Sequence, residues 1–321
     1  MTDTPRHTLP EILMVGPLLP DLIATLESRY RVHRLWEAQD KAAFLREHGA
    51  RIRGIATSGR FGATRDLIDA LPALEGIFSF GVGYDSIDIE AARARNVVVT
   101  NTPGVLDACV ADTALALMLA ATRRIAQGDR FVRAGRWPKE GFELGTRLTG
   151  KRCGIAGLGN IGRQIARRAE AFDMEISYFN RSPRADAPGH YRYCADLRTL
   201  AAQCDVLVLA VPGGADTRHL VDAAVLDALG PKGWLINIAR GTVVDEAALV
   251  QALTEGRIAG AGLDVFEHEP QTPPALNAMD NVVMLPHIAS GTHETRRAMA
   301  DLMLANLDDW FSEGRVHTRV V

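Results

Sequence analysis

No apolar run in this chain is long enough to span a bilayer. The longest, residues 114–121, falls far short of the roughly 20 residues a membrane helix needs, so it reads as a core helix. Cysteine is scarce. Cys109, Cys153, Cys194 and Cys204 form no Cys-x-x-Cys pair and do not cluster with histidine at metal-ligand spacing, which points to free, buried thiols and to no metal. Neither sign of charge dominates: a formal net charge of −3 gives no electrostatic reason to expect nucleic acid or an anionic membrane as partner, and leaves a small molecule. Low-complexity tracts and short-period repeats are absent. Residues 1–7 carry no basic segment followed by an apolar run, so a cytoplasmic protein is expected.

What is present is an ordinary globular composition, 47% hydrophobic and 23% charged. At 321 residues the chain exceeds what one hydrophobic core usually organises, and two domains are expected. Short β-rich runs at residues 12–15, 52–57, 76–80 and 96–100 alternate with helical patterns. That rhythm predicts parallel strands joined by right-handed crossovers. After the junction Asn101-Thr102-Pro103-Gly104 comes a long helical segment, 108–124, and then a polar stretch around Gly135-Arg136-Trp137-Pro138 that reads as a connector or arm, about residues 125–149. A second alternating series places strands at 152–156, 175–179, 206–210, 234–238, 260–263 and 282–285, which is enough for a doubly wound sheet. A last helix, 292–311, is expected to pack back on the first domain.

The fold class is therefore α/β in two domains. A flavodoxin-like substrate domain takes residues 1–101 and 290–321, and a Rossmann-type dinucleotide-binding domain takes 102–289. Within the second, Gly157-Leu158-Gly159-Asn160-Ile161-Gly162 follows a strand and opens an amphipathic helix. In that context the three glycines serve a tight turn, close approach to a pyrophosphate and helix-to-strand packing. The amides of Asn160 and Ile161 would meet phosphate at the positive helix end. At the end of the next strand, where an acid would bind ribose hydroxyls, stand Asn180-Arg181-Ser182-Pro183-Arg184. Forked guanidinium donors there suit the extra phosphate of NADP, although two solvated arginines in a polar loop would look the same. Val211, Pro212 and Thr217, then Ile238 and Ala239, follow later strands and complete the candidate cofactor contacts.

Three further segments follow strand ends: Ile238-Ala239-Arg240-Gly241-Thr242, the run from Asp264 to Glu269-Pro270, and Leu285-Pro286-His287-Ile288. Together with Gly81-Val82-Gly83-Tyr84-Asp85, the glycine fingerprint and the run Ser290 to Arg296, they resemble the D-isomer-specific 2-hydroxy-acid dehydrogenase family over nearly the whole chain. Within it the chain is most similar to glyoxylate and hydroxypyruvate reductases and to plant hydroxyphenylpyruvate reductases, which carry a segment like Tyr178-Phe179-Asn180-Arg181-Ser182.

The resemblance implies NADPH-dependent reduction of small 2-keto acids. Arg240 would bind the substrate carboxylate and polarise its ketone, His287 would give the proton, and Glu269 would favour and orient the imidazolium. Asp264 is similar to a residue that orients the nicotinamide end, or is an ordinary loop starter. Val82 and Gly83 would hold the substrate carboxylate through backbone amides. Arg60, in Ser58-Gly59-Arg60-Phe61, is a candidate substrate wall or a plain loop residue. Trp137 resembles an arm residue that reaches a partner subunit's active site, or packs in the interface of an expected homodimer. Two other readings stay open: an aromatic pyruvate reductase, and a dinucleotide-binding corepressor of the same fold.

Overall fold

The computed structural model describes residues 9–321, so the leader reading of residues 1–7 lies outside the described residues. The chain divides into two compact units, one made of the chain up to Leu106 with Thr292–Val321, the other Asp107–Gly291. Among the described residues no helix is long and apolar enough to cross a membrane. The cysteines are free, and three are buried, but Cys109 is only partly so, contrary to expectation.

The first unit carries strands β1 (Glu11–Met14), β2 (Arg31–Arg34), β3 (Ile52–Ser58), β4 (Gly76–Phe80) and β5 (Val98–Thr100). They form one parallel sheet in the order β2-β1-β3-β4-β5, the flavodoxin-like arrangement. Every residue of β4 and β5 is buried, as expected of parallel strands covered on both faces. Strand β2 was not foreseen. Its sequence, Arg31-Val32-His33-Arg34, has no apolar run because it lies at the sheet edge, where charge discourages pairing with another chain. Strand β5 is shorter than the expected 96–100, since Asn96 sits in a left-handed turn at φ 55°.

The second unit holds β6 (Arg152–Ala156), β7 (Glu175–Phe179), β8 (Arg192–Cys194), β9 (Val206–Leu209), β10 (Trp234–Asn237), β11 (Gly260–Leu263) and β12 (Val282–Met284). All pair in parallel, in the order β12-β11-β10-β9-β6-β7-β8. The chain winds outward from β6 through β7 to β8, then returns to β9 and winds the other way. A topological switch point therefore lies between β6 and β9. Seven strands stand where six were expected, because β8 is only three residues long and carries no apolar run. The helix Asp107–Thr122 packs on β10 and β11. Gly262 makes this close approach possible, since a methyl group there would lie 3.0 Å from Leu117.

In the first unit the helix His293–Glu313 lies against β4, with the rings of Phe311 and Phe78 6.2 Å apart. The chain then returns to the sheet edge, where the Val320 amide donates to the Val99 carbonyl at 2.7 Å. This return hinges on Asn306, which is fully buried. Its Oδ1 accepts the amides of His317 at 2.8 Å and Thr318 at 3.1 Å, and its Nδ2 donates to Leu302 O and Thr318 Oγ1. Leucine would fill the volume and satisfy none of these groups. Asn306→Leu should therefore cost about 2–4 kcal/mol of stability, from several buried groups at about 1–3 kcal/mol each with partial relaxation. Urea unfolding checks this, and a loss below about 0.5 kcal/mol would contradict it.

Candidate active site

Because all strands of the second unit run the same way, the loops after their carboxyl ends emerge along one edge of the sheet. Read across the sheet, that edge presents His287 after β12, Asp264 to Glu269 after β11, Arg240 after β10, Val211 after β9, Gly157 after β6 and Asn180 after β7. The chemistry-bearing residues thus follow three adjacent strands on one side of the switch point, and the glycine loop lies at it.

Gly157 has φ 98°, and a Cβ there would lie 2.7 Å from the Ala210 carbonyl oxygen; Gly162 is tighter still, at 2.0 Å from Gly157 O. Gly159 has nothing within 4 Å of a would-be Cβ, so space is open above the turn. The helix Asn160–Glu170 starts there without a side-chain cap. The first-turn amides, including Asn160 and Ile161, lack intrahelical acceptors and face an anion site in charge and geometry. A dinucleotide pyrophosphate fits this cradle.

Asn180 does not point its amide oxygen outward: Oδ1 accepts the Leu158 amide at 2.7 Å and so supports the glycine loop. Arg181 and Ser182 are exposed. Arg184, expected as a phosphate ligand, forms two 2.9 Å hydrogen bonds to Asp186, a residue the sequence reading passed over. After β9, the Thr217 hydroxyl donates to Pro212 O at 2.7 Å and folds the Val211–Thr217 loop on itself.

Ile238 and Ala239 are buried beneath Arg240. The backbone that presents Arg240 is set by Asn237, whose Oδ1 accepts the Ala239 amide and whose Nδ2 donates to Arg240 O, both at 3.0 Å. His287 takes a left-handed conformation, φ 54°, which a non-glycine residue keeps only when its surroundings enforce it. Asp264 supplies the enforcement. Fully buried, it accepts the Ile288 and Ala289 amides at 2.7 and 2.8 Å, while its own carbonyl accepts the His287 amide at 2.9 Å. Burial pushes the Asp264 carboxyl above its usual range, against the opposing pull of those two amides.

His287 Nδ1 lies 2.8 Å from Glu269 Oε2, and Glu269 Oε1 accepts the Phe266 amide at 3.0 Å. Burial pushes the Glu269 carboxyl up, but His287, the Phe266 amide and the charge of Arg240 outweigh it and hold the group below the usual range. The pair leaves Nε2 as the imidazole nitrogen able to pass a proton.

Sequence reading missed the brace beneath this pair. The Arg240 loop meets the Glu269 loop backbone to backbone at Gly241, where a Cβ would lie 1.8 Å from Phe266 C. Glu246 accepts the Glu267 amide at 2.8 Å. Glu267 in turn contacts Arg218 at 2.7 Å and His219 at 3.0 Å, and the His219 amide donates to Thr242 O. Gly241 directly after Arg240 was the one available signal.

Arg60, Val82 and Gly83 belong to the other unit. The Gly81 turn is pinned by Thr102, which exchanges hydrogen bonds with it, and by Asn101 Nδ2, which donates to Val82 O at 2.8 Å. The Val82 and Gly83 amides take part in none of the backbone bonds among the described residues. Arg60 lies over the Phe61 ring at 5.6 Å. In the second unit, Trp137 is 69% exposed on the segment that follows the helix Ile125–Arg133.

Comparison with known proteins decides the family. Residues 115–289 match the D-isomer specific 2-hydroxyacid dehydrogenase NAD binding domain. The chain belongs to the D-isomer-specific 2-hydroxyacid dehydrogenase family. It is 47% identical over 310 residues to a hydroxyphenylpyruvate reductase of Plectranthus scutellarioides, covering 97% of this chain and 98% of that one. It is also 47% identical over 312 residues to a 2-ketogluconate reductase of Gluconobacter oxydans, covering 97% and 99%. Among solved structures it is similar to an NADPH-dependent glyoxylate/hydroxypyruvate reductase of Sinorhizobium meliloti in complex with NADP and malonate, with 47% identity, a TM-score of 0.92 and coverage of 98% and 97%. This dehydrogenase is accordingly an NAD(P)-dependent oxidoreductase that interconverts 2-keto and 2-hydroxy acids, built on two parallel α/β sheets.

The geometry at Asp264 predicts a measurable cost. Asp264→Ala should destabilise the dehydrogenase by about 2–4 kcal/mol, because two amides lose a charged acceptor in a buried site. Hydrogen exchange at Ile288 and Ala289 should quicken. An unchanged melting curve together with unchanged exchange would contradict the tether.

Proposed function

We propose that this enzyme uses NADPH to reduce small 2-keto acids, glyoxylate and hydroxypyruvate foremost, to D-2-hydroxy acids. The observation that carries the reading is the 2.8 Å His287–Glu269 pair, with the positive charge of Arg240 acting on Glu269. With its pyrophosphate against the glycine loop, a bound dinucleotide would supply hydride from its nicotinamide to C2 of the keto acid. Arg240 binds the substrate carboxylate and places positive charge where the carbonyl oxygen becomes negative. His287 gives that oxygen its proton, and Glu269 orients the imidazole through Nδ1. Asp264 holds the His287 loop. In the first unit, taken by itself, the pinned turn at Val82 and Gly83 offers amides suited to an anion.

The preference for NADPH rests on Asn180, which stands at the end of β7 where an acid would repel a 2′-phosphate, and on Arg181, Ser182 and Arg184, which follow it. The solved relative named as NADPH-dependent supports it. A second reading, reduction of aromatic pyruvates, is favoured by the likeness to a hydroxyphenylpyruvate reductase. Loss of NADPH absorbance across glyoxylate, hydroxypyruvate, hydroxyphenylpyruvate and 2-ketogluconate ranks these by kcat/KM.

The catalytic assignment predicts pH behaviour. The Glu269 carboxyl is held below its usual range, so the pair with His287 should persist into acid and kcat/KM should fall only as pH drops through that depressed titration. Glu269→Gln cannot ionise, so it should lower kcat/KM and remove that acid limb. His287→Ala should lower kcat about 10²- to 10⁴-fold with NADPH affinity intact. A pH profile unmoved by Glu269→Gln, or full turnover in His287→Ala, would sink the assignment.

A homodimer is proposed through the 125–149 segment, where Trp137 and the 96% exposed Leu144 leave apolar surface that water disfavours. Trp137 belongs to that interface or to the partner's substrate pocket. Leu144→Glu with Trp137→Ala should shift sedimentation from dimer to monomer, and an unshifted dimer would rule the segment out.

A further inference from the structure

We infer that Asp186 sets the strength of the NADPH preference by competing with the 2′-phosphate for the same guanidinium groups. This rests on the NADPH reading above and deepens it. Asp186 lies on the loop after β7, two residues beyond Arg184. Arg184 Nε and Nη2 each reach one of its carboxylate oxygens at 2.9 Å. That is the fork geometry by which arginine grips a phosphate, and here a carboxylate fills it. Arg163, on the first turn of the glycine-loop helix, also donates to Asp186 Oδ2, so the carboxylate bridges the two elements that flank the cofactor end of β7.

Arg181 forms no ion pair among the described residues. The three guanidinium groups of this corner therefore differ in state: Arg181 is available, whereas Arg184 and Arg163 share the single negative charge of Asp186. The hydrogen bonds of Arg184 and Arg163 hold the Asp186 carboxyl far below the ordinary carboxylate range, so protonation never relieves the competition at working pH. An arriving 2′-phosphate must take Arg184 from Asp186 and tolerate a like charge beside it. A dinucleotide without that phosphate meets neither cost. Asp186 is half exposed, at 51%, so water and salt weaken the effect without abolishing it.

An opposite role has the opposite sign. If Asp186 chiefly positions Arg184 and Arg163 for the phosphate, removing it would weaken NADPH binding. Calorimetric titration of NADPH and NADH into the wild type, Asp186→Asn and Asp186→Ala, at low and high salt, separates the two. The inference expects both variants to bind NADPH about 3- to 10-fold more tightly at low salt, with NADH binding unchanged and the gain shrinking as salt rises. Melting without nucleotide checks that both variants fold. Unchanged or weaker NADPH binding in both variants overturns the inference. Failure of the NADPH reading looks different: a wild type that binds NADH as tightly as NADPH at low salt defeats that reading, whatever Asp186 does.

Discussion

The parallel direction of all seven strands in the second unit is the constraint on which the site depends. Parallel strands send every carboxyl-end loop to one edge, so residues as distant in sequence as Gly157 and His287 serve one surface without a long-range tether of their own. The winding outward from β6 and back to β9 opens the crevice at the glycine loop. Each loop then needs only local fixing, and the structure shows how that is done: Asn237 shapes the turn before Arg240, Asp264 holds the turn at His287, and Glu246 holds the loop before Glu269.

These fixings use buried or half-buried polar groups, which is costly unless each is satisfied. Asp264 is the clearest case. Its carboxylate is removed from water and burial raises its pKa, yet both oxygens meet amides and the backbone of His287 closes the same loop. The left-handed backbone at His287 is held by that arrangement. Gly241 adds a steric condition, since no side chain fits where the Arg240 and Glu269 loops touch. His287, Glu269 and Arg240 are thus locked to one another through backbone contacts rather than through their own side chains alone.

Much of this was legible in the sequence. The alternation of apolar runs, the three glycines after a strand, and Arg240, Glu269 and His287 just beyond strand ends are local patterns, and local patterns survive translation into structure. What was not legible depends on edges and on pairing. Strands β2 and β8 are short and polar because they sit at sheet margins, so periodicity does not mark them. Arg184 looked like a free donor because sequence order does not say that Asp186 turns back to meet it. His219 and Glu267 lie far apart in the chain and carry no motif, and only the fold makes them neighbours.

The central claim is that hydride passes from a reduced nicotinamide dinucleotide to C2 of a 2-keto acid as His287 gives the proton. Reduction of hydroxypyruvate with NADPH carrying deuterium at C4 of the nicotinamide, followed by mass spectrometry and chiral separation, tests it most directly. One face of the ring should deliver its label to C2, giving D-glycerate with a single deuterium, while the opposite label stays on the cofactor. Unlabelled glycerate from both labelled cofactors, or an L product, would contradict the account.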